Sequence, residues 1–464
     1  MKYSIVTKQN LNNEFRLDAE FFAPEIINAE NSIAKHKNDE IVKIANVIHP
    51  TEIERIYSDM GIQILLAQNV RNNYLSFEIK SYMPNDKKRF LSSNRLNYND
   101  VLVTRTGANF GQTAPYKSTD EIYACADLLV IKCNNILGGY LSTFLNTKYG
   151  RLMLDRGVYG AAQPHISSLY IKQLKIPRFS NKFETVIDKL LNKSNFLSCD
   201  IKTFYEKSCN IFLKELGLME WQPKHELSYV KNFSNVSKAN RYDAEYFQPK
   251  YDEIIEKIKS YSNGWDIVGN LFDQNRDSFI IKKDNKYKYV EIGSINTSNG
   301  EITFEEIPGK DLPANAKIKL HIGDILISKV RTYRGAVAVV ENYDYIGSGA
   351  FTVLHERLNS QINKETLYTF FKLKPILDLT LKYNTGTSYP TITDEDILNM
   401  PIPIFKQNIQ NEIREKIQEA KKLQIQSKQL LEIAKRGVEI AIEENEENAT
   451  RWINEQLSKI GVEL

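Results

Sequence analysis

Side chains suited to reading another molecule gather in three polar stretches of the first half of the chain: Gln68 to Tyr74, Arg105 to Gln112 and Tyr159 to Ser167. Three counterparts lie in the second half: Ser294 to Asn299, Lys329 to Arg334 and Thr387 to Thr393. Their chemistry is that of nucleic-acid recognition. An arginine fork matches guanine, and an asparagine or glutamine amide matches adenine. Hydroxyls and backbone amides suit phosphate. The candidate DNA contacts are Gln68, Asn69, Arg71, Asn73, Arg105, Thr106, Asn109, Gln112, Tyr159, Gln163 and His165 in the first half. In the second they are Ser294, Asn296, Lys329, Arg331, Tyr333, Arg334, Thr387, Ser388 and Tyr389. Arg105, Arg331 and Arg334 lead the set. For any single residue the alternative is an ordinary polar surface turn.

Catalytic patterns are missing. The chain has no G-x-x-x-x-G-K-[ST] loop, no G-x-G-x-x-G after a strand, no H-E-x-x-H and no Pro-Pro dipeptide,. Asp59 with Glu78 and Lys80 fits a loose nuclease triad, a match that chance supplies at 26% charged residues. His165 stands where the second half has Thr391, and a duplicated active site should keep its residues in both copies,. The expectation is recognition and not catalysis, with no catalytic residue, metal ligand or cofactor in this chain.

The elements that must hold these stretches occur twice. Arg16-Leu-Asp-Ala-Glu-Phe-Phe-Ala-Pro24 returns as Arg241-Tyr-Asp-Ala-Glu-Tyr-Phe-Gln-Pro249, a shift of 241 − 16 = 225. Long-period self-similarity of this kind implies two copies of one whole domain. In each copy Asp18 or Asp243 is placed to cap a helix running on through Ile33 or Ile258,. Strands are expected over Ile62 to Val70 and Tyr289 to Ile295, then at Asp100-Val-Leu-Val-Thr104 and Asp324-Ile-Leu-Ile-Ser328,. Leu141 and Leu367 head a further helix. Gly160-Ala-Ala-Gln-Pro-His-Ile-Ser167 matches Gly386-Thr-Ser-Tyr-Pro-Thr-Ile-Thr393, and each unit closes on Lys175-Ile-Pro177 or Pro401-Ile-Pro403. Mixed strands with few helices predict an α+β fold.

After each closing segment the period changes. Phe183, Ile187, Leu190, Ser194, Leu197, Ile201, Phe204, Ser208 and Ile211 are spaced 4-3-4-3. So are Ile413, Ile417, Ala420, Gln424, Ser427, Leu431, Ala434, Val438 and Ala441. This is the seam of a coiled coil, and each long helix has the other as its natural partner. Polar seam residues such as Ser194 and Ser427 would help to fix register. The Glu-rich tail from Glu443 reads as a solvated helix end. The expected divisions are 1–180 and 220–406 for the two recognition domains, with helices at 181–219 and 407–464.

Bulk composition sets outer bounds. The 464 residues are 42% apolar with a net charge of +3, ordinary for a soluble globular chain,. Near-neutrality argues against an unspecific polycation, although a balanced total can hide a basic groove. Cys125, Cys133, Cys199 and Cys209 show no paired zinc spacing and read as reduced thiols of a cytoplasmic protein,. No apolar run approaches the ~20 residues of a membrane span.

Taken in order, these segments resemble the specificity (S) subunits of type I restriction–modification systems. The resemblance rests on the duplicated Arg-x-Asp-Ala-Glu-[Phe/Tyr]-Phe, the Asp-[Val/Ile]-Leu strand before a glycine-containing loop, residues 160–167 with their echo at 386–393, and the long helix after each domain. It covers essentially the whole chain. It implies two target-recognition domains that each read half of a split DNA sequence, held apart by an antiparallel helix pair acting as a ruler. Half-sites would then lie roughly one helical turn apart, ~34 Å. The resemblance also implies partners: double-stranded DNA, two methyltransferase subunits using S-adenosylmethionine, and restriction subunits using ATP and Mg. Competing readings are a specificity-like subunit of another methyltransferase-based phage-defence complex, an enzyme with a disguised site, and a protein scaffold that never touches DNA.

Overall fold

The structure is a computed structural model that describes residues 18–77, 80–107, 110–160, 164–222, 224–341, 344–386 and 388–464. It divides into two compact units, residues 1–198 with 424–464 and residues 199–423. Each long helix is therefore shared, its two halves belonging to different units.

The first unit is built on an antiparallel four-stranded sheet ordered Ala45–Ile48, Leu128–Cys133, Val101–Thr104 and Thr113–Pro115. A smaller sheet, Ser81–Met83, Ile62–Leu65 and Tyr123–Ala124, stands beside it, its last pair parallel. Leu65, Leu102, Tyr116 and Val130 belong to one buried apolar cluster. Val101–Thr104 is buried at every residue, so both faces are covered and its sequence runs apolar instead of alternating,.

The second unit repeats that topology. Phe272–Gln274, Phe351–Glu356, Ile325–Ser328 and Val337–Val339 form the four-stranded sheet. Register is conserved between the copies: Leu128 opposes Thr104, and Phe351 opposes Ser328. The smaller sheet again pairs Lys286–Val290 in parallel with Tyr345–Ser348, and it gains an edge strand, Ala316–Lys319. The closing Pro segments become short ribbons, Asn38–Glu40 with Lys175–Pro177 and Trp265–Ile267 with Pro401–Pro403. Proline is tolerated there because such ribbons have free edges.

Three local expectations need correction. The helices begin at Pro24 and Pro249, where the fixed proline φ suits the first turn,. Asp18 and Asp243 instead cap the turn before, accepting from the amides of Phe21 and Tyr246, both at 3.0 Å. The strands from Ile62 and toward Ile295 are shorter than their apolar runs, breaking into one-turn helices at Ala67–Asn69 and Ile292–Ser294. The tail is not a solvated helix end. Glu446–Lys459 forms a separate helix that buries Ala449, Ile453 and Leu457. It lies so close that a Cβ on Gly437 would come within 2.6 Å of Ile453.

The two long helices span Asn181–Glu215 and Gln407–Glu443, the first roughly 50 Å at 1.5 Å per residue,. They pair antiparallel. In the first unit Ser194 meets Ser427, their hydroxyls 2.8 Å apart and each hydroxyl donating to the other's carbonyl at 3.0 and 3.1 Å. In the second unit Ile201, Tyr205 and Phe212 share one core with Ile413, Ile417 and Ala420. The seam shifts by one residue at three points: Tyr205, Phe212 and Leu430 are buried where Phe204, Ile211 and Leu431 are only half-buried, as is Gln424. Among the described residues no helix is long and apolar enough to cross a membrane.

Candidate nucleic-acid interface

Each copy assembles its second and third polar stretches by the same backbone joints. In the first, the amide of Ile166 donates to the carbonyl of Arg105 at 3.1 Å, and Thr106 bridges His165. In the second, the amide of Ile392 donates to the carbonyl of Lys329 at 3.0 Å, and Val330 bridges Thr391. The seven-residue loops Arg105–Gly111 and Lys329–Gly335 both end on a left-handed glycine, with φ of 71° and 73°. Both close onto their strand, Thr104 donating to Gln112 at 2.9 Å and Ser328 to Ala336 at 3.1 Å. One scaffold thus presents two different sets of side chains.

The duplicated motif anchors the root of this scaffold. Arg241 pairs with Asp243 at 2.6 Å, stacks on Tyr246 at 4.8 Å and donates to the carbonyl of Asn384 at 3.0 Å, just ahead of the third stretch. Arg156 and Lys382 occupy equivalent positions behind it. Arg156 lies 4.1 Å over the Phe21 ring and donates to the Phe21 carbonyl at 3.0 Å. Lys382 lies 4.5 Å over Tyr246 and donates to that residue's carbonyl at 2.9 Å.

The candidates separate into positioning and presenting groups. Asn69 and Asn73 are buried. The Asn69 amide accepts from Leu66 and donates to Ser76, and Asn73 accepts from Ser142 and Asn146, so both shape the loop instead of facing a base edge. Asn296 accepts from the amide and hydroxyl of Ser298, and Ser294 from the amide of Glu291, so both close turns. Arg71 is half-buried and donates to Val70. Gln68, Tyr159, Arg334, Ser388 and Tyr389 are exposed, and Thr106, Gln112, His165 and Tyr333 half-buried. Asn109, Gln163 and Thr387 lie outside the described residues, as does Glu78 of the loose nuclease match.

Charge differs between the copies at the first loop position. The Arg105 guanidinium, half-buried, makes no side-chain hydrogen bond or ion pair among the described residues. Its counterpart Lys329 is bound to Asp394 at 3.1 Å. Burial pushes the Asp394 carboxyl up, but hydrogen bonds from Thr352 and Lys329 outweigh this and hold it below the usual carboxylate range. Asp394 was not among the candidates; nothing in its helix-capping context, Thr393-Asp-Glu-Asp396, marks it as a partner of Lys329. Two polar atoms of the first copy, Gln112 Oε1 and His165 Nδ1, are buried without a partner among the described residues. Such orphans are uncommon and call for a ligand or water.

Among the described residues no group of three or more His, Cys, Asp or Glu could hold a metal ion. What the loops can do chemically is donate and accept hydrogen bonds and present arginine forks.

No family model matches the chain, and no curated protein matches it in sequence. Solved structures do. The chain is similar to the type I restriction–modification S subunit of M. genitalium, with 13% identity over 92% of this chain and 96% of that one, at a TM-score of 0.41. It is similar to the HsdS subunit of Thermoanaerobacter tengcongensis, with 13% identity over 91% and 96%, at a TM-score of 0.26. A weaker likeness, 8% identity over 40% of this chain and 30% of the other, is to the type IIG restriction endonuclease BpuSI, at a TM-score of 0.29.

Proposed function

We propose that this chain is the sequence-specific DNA-recognition subunit of a type I restriction–modification complex. Each domain would read one half of a split target, while catalysis belongs to partner subunits carrying S-adenosylmethionine, ATP and Mg. The observation that carries this reading is the duplicated loop scaffold with unlike side chains: backbone joints repeat at Arg105–Ile166 and Lys329–Ile392, whereas the residues displayed do not. An enzyme with two copies of one active site would show the opposite, fixed chemistry on a drifting frame.

In this reading affinity and its salt dependence come from lysine and arginine contacts to phosphate, and specificity from base edges met by the loops. Arg105 and Arg334, whose side chains have no hydrogen bond or ion pair among the described residues, are the foremost direct contacts. The antiparallel helix pair would act as the ruler between half-sites.

The test is a map of modified adenines. The chain is co-expressed with the methyltransferase encoded beside it in a host free of adenine methylation. A bipartite motif that vanishes when this chain is omitted is the expected result. A stable complex that methylates nothing, or a motif that persists without the chain, overturns the proposal.

A further inference from the structure

The loop after the central strand needs a left-handed residue at its third position. In the first copy this is Gly107, with φ 88° and open space within 4 Å of where a Cβ would stand. In the second copy the same position holds Arg331, with φ 49°. A residue with a Cβ is disfavoured there, and an outlier that persists against that preference points to a role for its side chain. Glycine was the unstrained choice and the first copy uses it.

The surroundings hold Arg331 in place. Its amide donates to the Pro390 carbonyl at 2.8 Å, and its own carbonyl accepts from Arg334 at 2.9 Å. The guanidinium lies 5.0 Å over the Tyr389 ring, and Nη2 donates to the Ser388 carbonyl at 3.2 Å. Tyr389 is itself 70% exposed, a platform facing solvent. Nε and Nη1 have no protein partner among the described residues. A planar fork stacked on an aromatic ring has lost its rotamer freedom before a ligand arrives. Two residues earlier in the same loop, Lys329 is neutralised by Asp394, whereas the side chain of its counterpart Arg105 has no hydrogen bond or ion pair among the described residues. The second copy has thus moved its fork from the first loop position to the third.

Resting on the proposed function, we infer that Arg331, laid on Tyr389, reads a guanine in the half-site of the second domain, with Tyr389 as its positioning residue. The match is bidentate, guanidinium nitrogens donating to guanine O6 and N7.

The experiment maps adenine methylation by the full chain with its methyltransferase partner. Arg331→Gly copies the first copy's own solution at this position, so the loop keeps its backbone. The expected result is that one guanine in one half-site loses its preference roughly 10-fold, while the other half-site is unchanged. Tyr389→Ala should broaden the same position, and Tyr389→Phe, which keeps the ring, should preserve it. Unchanged base preference in Arg331→Gly overturns the assignment. So does uniform loss of methylation at every motif site, the signature of a phosphate contact. A wild-type chain that directs no bipartite motif overturns the parent reading and this assignment together; a wild-type motif with an unaltered variant overturns this assignment alone.

Discussion

One carboxylate shows how single residues separate the two copies. Asp100 is buried at the start of its strand and bound to Lys132 at 2.5 Å. Burial pushes its carboxyl up, and the bond to Lys132 only partly reverses this. Asp324, at the equivalent place, is bound to His355 at 2.9 Å and also accepts from Asn275 at 2.7 Å and the His321 amide at 2.8 Å. Lys132→Ala leaves the buried Asp100 carboxylate with the Asn97 amide, at 2.7 Å, as its one remaining donor among the described residues, and should cost about 3–5 kcal/mol in urea unfolding,. His355→Ala leaves Asp324 two other donors and should cost less; equal losses would contradict this account. Thiols give the pH dependence. Burial pushes Cys125 and Cys209 up to about 11 and Cys133 up to about 12. A pKa raised on folding contributes stability below the unfolded value, ~8.5 for cysteine, and that contribution is lost as pH rises through the folded value. The urea midpoint should therefore fall between about pH 8.5 and 11, and replacing Cys125, Cys133 and Cys209 by alanine should flatten that fall. Cys199 is exposed and should react first with a thiol reagent at neutral pH. At this scale the sequence was only half legible. Asn69 and Asn73 carry the residue type of a base reader, and only tertiary packing turns them inward. Gly107 opposite Arg331 was visible in the aligned loops, but its meaning depends on a φ value that residue names do not state.

Elements were read more securely, because period and turn chemistry are local properties. The 4-3-4-3 spacing located both long helices, and the paired Asp-[Val/Ile]-Leu runs located the central strands. Misreadings came where tertiary contacts decide. Glu443 onward is acidic, yet Glu443 is held below the usual carboxylate range: burial raises it, and Arg436 and Lys148 outweigh that. Glu446 accepts from the Ser180 amide at 2.9 Å, so charge that looks solvated is docking a helix. The Ser194–Ser427 layer is a polar step in the seam. Ser194→Ala leaves a buried hydroxyl with fewer partners and should cost about 1 kcal/mol. The double alanine variant should cost less than the sum of the singles, as coupled partners do; strict additivity would contradict the pairing. Removing one heptad from each helix takes out ~10 Å of length. The proposed target should then lose about three base pairs of spacer and keep both half-sites; an unchanged spacer would contradict the ruler.

For the whole molecule, duplication is the organising fact: one topology and one register used twice, with matching joints between the loops. It was legible because repeats survive in residue names even where function-bearing side chains diverge. What did not show was the division of each long helix between two compact units, since that depends on packing and not on sequence period. The central claim is that each copy reads its own half-site. It is tested most directly by replacing residues 1–180 with those of a relative of known target and mapping methylated adenines in the complex. The account predicts a motif with one half exchanged and the other half and spacer retained. A motif altered in both halves, or in neither, would contradict it.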